Sequence, residues 1–389
     1  MRPKRLAILG ASGSIGRSTL AVLSELGPER EAFEVVLLAA HRSIEPLVRA
    51  ADDHHCKTLA FTGIEDRAAL PAMGHDQRAF CGPRAILDAL EACDPDLVLN
   101  GITGAAGLGA SLYAIEAGKS LLLANKESLV VAGPLLMGLA RRTGAQVLPV
   151  DSEHAAIHQC LRGERRQDLK KIWLTASGGP FRTLPFDALQ VVSVEAALAH
   201  PTWKMGPRIS IGSATLMNKS FEVLEAHHLF DLAADEIDVL VHPQSIVHSM
   251  VGFCDGSILA QLGVPDMRLP IAYCLGYPER MNLDFEGFDP ARFAELRFEA
   301  PDLRRFPALA LGWRCIDAGG SSGAILNAAD EVATAAFLDG RIAFPRIAAI
   351  VEECLDALDS EALESLDHVL DTDRRAREVA RTCVLETAQ

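Results

Sequence analysis

The stretch Leu6-Ala7-Ile8-Leu9-Gly10-Ala11-Ser12-Gly13-Ser14-Ile15-Gly16 decides the fold. Four apolar residues in a row read as a strand buried on both faces, and the glycines after it open a helix over 14–26. Glycine permits the tight turn and lets the backbone approach a pyrophosphate. The free N–H groups and dipole of the helix N-terminus then favour the anion. The spacing is GxxGxxG, not GxGxxG, so the turn alone is a moderate signal; its place after the first strand strengthens it.

Outward from that turn, short apolar runs recur at 35–40, 59–61, 97–99, 121–124 and 147–150, with helical stretches at 108–117 and 127–142 between them. The alternation predicts an α/β fold, a parallel sheet with helices on both sides, and ligands beyond the carboxyl ends of its strands. The second run ends in Ala39-Ala40-His41-Arg42-Ser43. An acidic residue there would hold the ribose hydroxyls of NAD, whereas Arg42 can meet a 2′-phosphate and favours NADP.

Past residue 150 the pattern changes. A strand at 172–176 precedes the turn-rich Ser177-Gly178-Gly179-Pro180, an irregular loop holds His200 and Trp203, and 213–230 reads as a helix with Ser213 in a capping position. Runs at 238–241, 246–253 and 257–262, the last two joined through Asp255-Gly256, predict antiparallel strands. Weak periodicity at 281–306 suggests a linker, and apolar stripes through Ile347 to Leu358 and Ala376 to Val384 predict a helical domain over 307–389.

Composition bounds the function. The 389 residues carry 37 − 52 = −15 net charges, so no broad basic face is available for nucleic acid. The uncharged stretch 97–115 reaches membrane-span length but holds four Gly, an Asn and a Thr, and reads as strand, turn and helix. Nine cysteines without a CxxC argue for reduced thiols in a cytoplasm, and nothing resembling a signal peptide precedes the first strand.

Two clusters carry chemistry. Asp151-Ser152-Glu153 follows a buried strand, and two carboxylates at a strand end can converge on one divalent cation; oxygen donors favour Mg²⁺ or Mn²⁺. His154 and His158 have i,i+4 spacing but lack the HExxH order, and read as helix-face residues. Asn218, Lys219 and Glu222 share a helical face, where a structural Lys219–Glu222 salt bridge competes with a site. Lys126 follows another buried strand towards the same sheet edge. Together these residues describe a site for a phosphorylated, oxygen-rich substrate.

The segments GASGSIG (10–16), LLLANKESL (121–129), LPVDSEHAAI (148–157), TASGGPF (175–181), HPTWKMG (200–206), SATLMNKSFEVLEA (213–226), VHPQSIVHSM (241–250) and DGSILAQLGVPDMR (255–268) resemble, in order, those of the 1-deoxy-D-xylulose 5-phosphate reductoisomerase family. The resemblance implies a Rossmann-like NADPH-binding domain over 1–150, an α+β catalytic domain with a mobile loop over 151–280, the linker and the C-terminal helical domain, assembled as a homodimer. It also implies the reaction: NADPH- and metal-dependent rearrangement and reduction of a phosphorylated ketose.

By motif, Asp151, Glu153 and Glu222 would ligate Mn²⁺ or Mg²⁺. Lys126, Ser152 and Glu153 would touch the substrate's ketone and hydroxyl groups, and Ser177, His200, Ser213, Asn218 and Lys219 would bind it mostly at phosphate. Ser12, Gly13, Ser14, Ile15, Arg42, Ser43, Asn125, Glu127 and Gly206 would contact NADPH, and Trp203 would close over the substrate. The chain departs from the family pattern at Ile211-Gly212, Ser220-Phe221, Val264 and His41. Those departures leave room for a reductase of another phosphorylated hydroxyketone. A silent dinucleotide-binding protein would have no need of the three carboxylates and Lys126.

Overall fold

The computed structural model describes residues 2–71, 76–203, 205–285 and 287–387. Along the chain run β1 (Lys4–Leu9), α1 (Ser14–Glu25), β2 (Phe33–Ala40), α2 (Ile44–Asp53), β3 (Thr58–Phe61), β4 (Arg78–Cys81), α3 (Ala85–Cys93), β5 (Leu97–Asn100), α4 (Leu108–Glu116) and β6 (Ser120–Leu123). Next come α5 (Lys126–Thr143), β7 (Val147–Pro149), α6 (Ser152–Cys160), β8 (Leu169–Ala176), α7 (Val194–Leu198), α8 (Pro207–Thr215), α9 (Met217–Phe230), β9 (Ile237–Val241), β10 (Val247–Phe253) and β11 (Ile258–Leu262). The chain ends through α10 (Arg268–Gly276), α11 (Pro290–Phe293), α12 (Ala310–Ala318), α13 (Ser322–Leu338), α14 (Arg346–Ala357) and α15 (Leu366–Thr387). Contacts group these into two units, the first made of 1–125, 138–155 and 266–285, the second of 126–137, 156–265 and 286–389.

In the first unit, seven strands form one sheet in the order β4-β3-β2-β1-β5-β6-β7, every pair parallel. Because all strands point one way, the residues after β1, β2, β5, β6 and β7 share an edge. The order reverses between β1 and β5, which is where such sheets open a ligand crevice. Leu6, Ile8, Leu38, Leu59 and Leu99 are wholly buried, as central parallel strands require, and burial of each contributes about 1.5–3 kcal/mol. The stretch 97–115 is indeed strand, turn and helix. Strand β4 and helices α2 and α3 go beyond the sequence reading. The late segment carrying α10 belongs here too: Ile271 and Leu275 are fully buried, Arg268 pairs with Glu25 at 2.7 Å, and the Cys274 thiol donates to the Pro149 carbonyl at 3.1 Å.

The second unit holds a mixed sheet in the order β11-β10-β8-β9, with β8 and β9 parallel and β10 antiparallel to both β8 and β11. The hairpin expected at Asp255-Gly256 is present between β10 and β11. Helices α8, α9 and α12 to α15 share a core that includes Met217, Val223, Leu224, Leu326, Ile347, Ile350, Ala376 and Ala380. The helix expected over 213–230 is instead two. α8 ends at Thr215, Leu216 adopts φ +60°, and α9 starts afresh, so Ser213 lies inside a helix and does not cap one. The Thr215 hydroxyl holds the break, accepting from the Met217 amide at 3.2 Å and lying 3.0 Å from the Ile211 carbonyl. α5 is likewise interrupted at Ala132 (φ −141°), two residues before Pro134, whose ring cannot follow a regular turn.

Helices in this unit come close where a side chain is missing. A Cβ on Gly323 of α13 would stand 2.0 Å from the Val130 carbonyl oxygen of α5, a backbone atom that cannot swing aside. Gly323→Ala is therefore expected to destabilise by about 1–3 kcal/mol through overpacking. Urea unfolding checks this against Gly109→Ala, where an added methyl meets open space; equal stability of the two variants would contradict the packing.

Candidate functional site

The glycine-rich turn of the first unit has the form an anion needs. Gly10 takes φ +76°, and a Cβ there would lie 2.6 Å from the Gly101 carbonyl, so the β1 turn packs directly against the end of β5. The Gly13 amide closes the turn on the Gly10 carbonyl at 2.9 Å. α1 then begins with no side-chain cap and no acidic residue in its first turn, which leaves its N-terminal amides to a ligand. Gly13 and Ser14 are exposed, Ser12 and Ile15 partly so.

After β2, His41, Arg42 and Ser43 are exposed, and Ser43 precedes α2. His41 accounts for its own departure from the family pattern: its Nδ1 meets the Thr62 hydroxyl at 3.0 Å and its carbonyl accepts from the Gly63 amide at 2.9 Å. Asn125 is different from its neighbours on this edge. It is buried, and its amide donates to the carbonyls of Ile102 (2.6 Å) and Gly104 (2.9 Å), so it shapes the loop after β5. Asn100, which sequence reasoning missed, does the same from β5 with bonds to Gly107 and Ser111. A polar residue ending a buried strand was its one sequence signal.

Beyond β7, Asp151 sits just before α6. One of its carboxylate oxygens accepts from the Glu153 amide at 3.3 Å and lies 3.5 Å from Nδ1 of the fully buried His154. The Ser152 hydroxyl donates to the Glu153 carboxylate. Asp151 therefore serves the helix start, which a negative charge stabilises, while both carboxylates remain partly exposed.

In the second unit, Glu222 of α9 is buried and almost surrounded. Lys126 Nζ reaches its Oε1 at 3.1 Å, Asn218 Nδ2 donates to the same oxygen at 2.6 Å, and Lys219 donates to Oε2. Lys126 also donates to Asn218 Oδ1 at 3.0 Å. The Lys219–Glu222 salt bridge thus exists, but inside a larger cluster that a structural pair would not need. Two ammonium groups and an amide thus converge on one buried carboxylate, and donors of that kind also suit the oxygens of a phosphorylated ligand. Lys126 opens α5 and Glu222 lies one turn into α9, so both are set by helix starts.

A second polar group lies in the same unit. Gly179, at φ +68°, brings the turn after β8 against α8, where a Cβ would stand 2.7 Å from the Ser213 carbonyl. Ser177 Oγ is 2.9 Å from His200 Nε2, and His200 Nδ1 accepts from the amides of Thr202 (3.1 Å) and Trp203 (2.9 Å). With Nδ1 accepting, the ring proton belongs on Nε2, which donates to Ser177. Gly212 packs against Asn218, its added Cβ being 3.4 Å from that of Asn218. Gly206 precedes α8, and Lys204 of the loop motif lies outside the described residues.

Sequence reasoning also missed Arg208. From α8 it donates to Glu127 (3.0 Å), Glu331 (2.7 Å) and Asn327 (2.8 Å) and lies 3.6 Å from Asp330. No motif marks it, because its partners lie 81 to 123 positions away.

The family models that match the chain all describe one family. Family models described as 1-deoxy-D-xylulose 5-phosphate reductoisomerase, its C-terminal domain, and the DXP reductoisomerase C-terminal domain match residues 6–133, 147–230 and 262–379. The 1-deoxy-D-xylulose 5-phosphate reductoisomerase of Burkholderia multivorans is 49% identical over 383 residues, covering 97% of this chain and 96% of that one. The enzyme of that name from Zymomonas mobilis, solved with NADPH, superimposes with a TM-score of 0.89 at 42% identity, over 98% of this chain and 99% of that chain. A DOX-P reductoisomerase in complex with NADPH, fosmidomycin and magnesium gives 0.90 at 39% identity, over 99% and 100%.

Burial lowers the pKa of His200 below the usual 6.5, and that of His228, packed beside His227, to about 3. Both rings stay neutral in the folded state while the unfolded chain takes up protons below pH 6.5. Their contribution to stability is therefore present above 6.5 and lost as pH falls towards the folded values. Histidine-ring NMR should place the His200 midpoint below 6.5 and leave His228 uncharged until about pH 3; a midpoint at or above 6.5 for either would contradict the geometry.

Proposed function

The chain belongs to the 1-deoxy-D-xylulose 5-phosphate reductoisomerase family, and from that premise we propose how its residues divide the work. It is an NADPH-dependent oxidoreductase that, with a divalent metal, rearranges and reduces 1-deoxy-D-xylulose 5-phosphate to 2-C-methyl-D-erythritol 4-phosphate in isoprenoid biosynthesis. What carries this reading at the level of residues is the buried carboxylate of Glu222 held by Lys126, Lys219 and Asn218.

The first unit carries NADPH, with the pyrophosphate on the amides at Ser12, Gly13, Ser14 and Ile15 and the 2′-phosphate on Arg42 and Ser43. The exposed, uncapped start of α1 supports the former, and exposure of Arg42 at the end of β2 supports the latter. Asn125, Glu127 and Gly206 complete the cofactor set. The metal ligands are Asp151, Glu153 and Glu222; all offer carboxylate oxygens, a donor set that fits Mg²⁺ or Mn²⁺ better than a soft ion. When bound, the ion polarises the ketone and stabilises charge on oxygen, and NADPH supplies the hydride.

The chain's own groups do the rest. Lys126 donates hydrogen bonds to substrate oxygen and orients it, with Ser152 and Glu153 on the neighbouring hydroxyl. Lys219, Asn218, Ser213, Ser177 and His200 hold the phosphate; the Nε2–H tautomer makes His200 a neutral donor, and Lys219 brings the charge. Trp203, whose amide is fixed to His200, closes over the substrate and excludes water.

The proposal extends to assembly and place. Ile258, Leu259 and Leu262 stand exposed on the edge strand β11, and an apolar edge of that kind suits pairing with a second copy, so the active species is a homodimer. Among the described residues no helix is long and apolar enough to cross a membrane, in keeping with work in the cytoplasm.

NADPH oxidation on 1-deoxy-D-xylulose 5-phosphate, with Mg²⁺ or Mn²⁺ and again with chelator, tests the reaction when the product is identified by mass and NMR. Metal-dependent formation of 2-C-methyl-D-erythritol 4-phosphate is expected, and no turnover by folded, NADPH-binding protein would refute it. Glu222→Gln should lower kcat by about 100-fold or more while NADPH affinity changes little. Near-normal turnover at saturating metal would remove Glu222 from the site.

A further inference from the structure

We infer that Arg208 is a positioning residue: its guanidinium ties the Lys126–Glu127 start of α5 to helices α13 and α15, so the C-terminal helices set where Lys126 stands. This rests on the role given to Lys126 above. The observations lie within the second unit. Arg208 is the second residue of α8, and one of its terminal nitrogens bonds both Glu127 of α5, at 3.0 Å, and Glu331 of α13, at 2.7 Å. The other bonds Asn327 at 2.8 Å and lies 3.6 Å from Asp330. Its guanidinium carbon lies over the Phe221 ring, 6.0 Å from the ring centre, so it neighbours the residue before Glu222 as well as bonding the residue after Lys126.

The network continues outward. Glu331 also accepts from Arg377 of α15, and Arg377 grips Asp373 through two bonds, of 2.6 and 2.9 Å. Among the described residues, Arg377 connects to Lys126 through Glu331, Arg208 and Glu127. The charged groups facing Arg208 are Glu127, Asp330 and Glu331, with Arg377 and Asp373 behind them. A fork suits this: a lysine would supply the charge but only as a point, and would hold α5 and α13 less firmly at fixed angles.

Lys126 needs such holding. Its ammonium must meet Asn218 and Glu222 at 3.0 and 3.1 Å from the first position of a helix, where few backbone bonds fix the chain. The same arginine anchors the far side of the segment carrying His200 and Trp203, since α8 begins one residue after Gly206. Phe221 and Gly212, two departures from the family pattern, lie under this arginine and against Asn218.

The test compares Arg208→Gln, Arg208→Lys and Arg377→Gln in the full-length enzyme, by steady-state kinetics, NADPH binding, circular dichroism and crystal structure. Arg208→Gln should lose about 10- to 100-fold in kcat, with substrate KM within about threefold and NADPH still bound through the first unit, because a displacement near 1 Å suffices for such a loss. Arg208→Lys should recover part of it, and Arg377→Gln should lose about threefold in kcat although it touches neither Lys126 nor Glu127. In the Arg208→Gln crystal, Lys126 should leave hydrogen-bond reach of Asn218 or Glu222. Folded Arg208→Gln with wild-type kcat, or a loss confined to KM, overturns the inference. If Arg208→Gln does not fold, unchanged kcat in Arg377→Gln overturns it. If wild-type enzyme fails to turn over the ketose, the proposed reaction fails, and an undisplaced Lys126 in the Arg208→Gln crystal still overturns the positioning role.

Discussion

Burying a carboxylate is the constraint from which the second unit follows. Glu222 is 1% exposed, and an ion taken out of water must find opposite charge and hydrogen bonds or cost several kcal/mol. Lys126, Lys219 and Asn218 meet that demand, and meeting it forces the first residue of α5 against the first turns of α9. Removing one partner from such a cluster typically costs about 3–5 kcal/mol, so the arrangement is stiff as well as charged. The surrounding helices close in through glycines: Gly312 of α12 on the Ser220 backbone, and Gly323 of α13 on Val130. Stability and chemistry therefore meet in the same four side chains.

The first unit solves a different problem, the presentation of backbone amides. Its sheet is parallel throughout, so every strand ends on one edge, and the turn after β1 is kept close to β5 by a residue without a side chain. Asn100 and Asn125 spend their amides on loop carbonyls, which keeps that edge open and ordered at once. The departures from the family pattern make sense in these terms. His41 bonds Thr62, Phe221 lies under Arg208, and Gly212 packs on Asn218; none replaces a carboxylate or lysine of the proposed site.

Much of this was legible beforehand because it is local. The strand–turn–helix from Leu6, the alternation of apolar runs, the Asp255-Gly256 hairpin and the face shared by Asn218, Lys219 and Glu222 each depend on residues a few positions apart. What escaped notice depends on distance or on context. β4 is a four-residue strand at the edge of its sheet, opening on an exposed arginine. Leu216 in a left-handed conformation contradicts its own preference and is held there by Thr215. The association of 266–285 with the first unit, and the convergence of Glu127, Arg208 and Glu331, join segments at least 81 positions apart. Periodicity carries no such information.

The account stands or falls on whether Glu222 is a reactive carboxylate or a structural one. Crystals grown with Mn²⁺ and measured at the manganese absorption edge would decide it. The account predicts an anomalous peak about 2.1 Å from a Glu222 carboxylate oxygen, a normal distance for a small hard cation. An ion bound elsewhere on the protein, with Glu222 still held by Lys126 and Lys219, would contradict it.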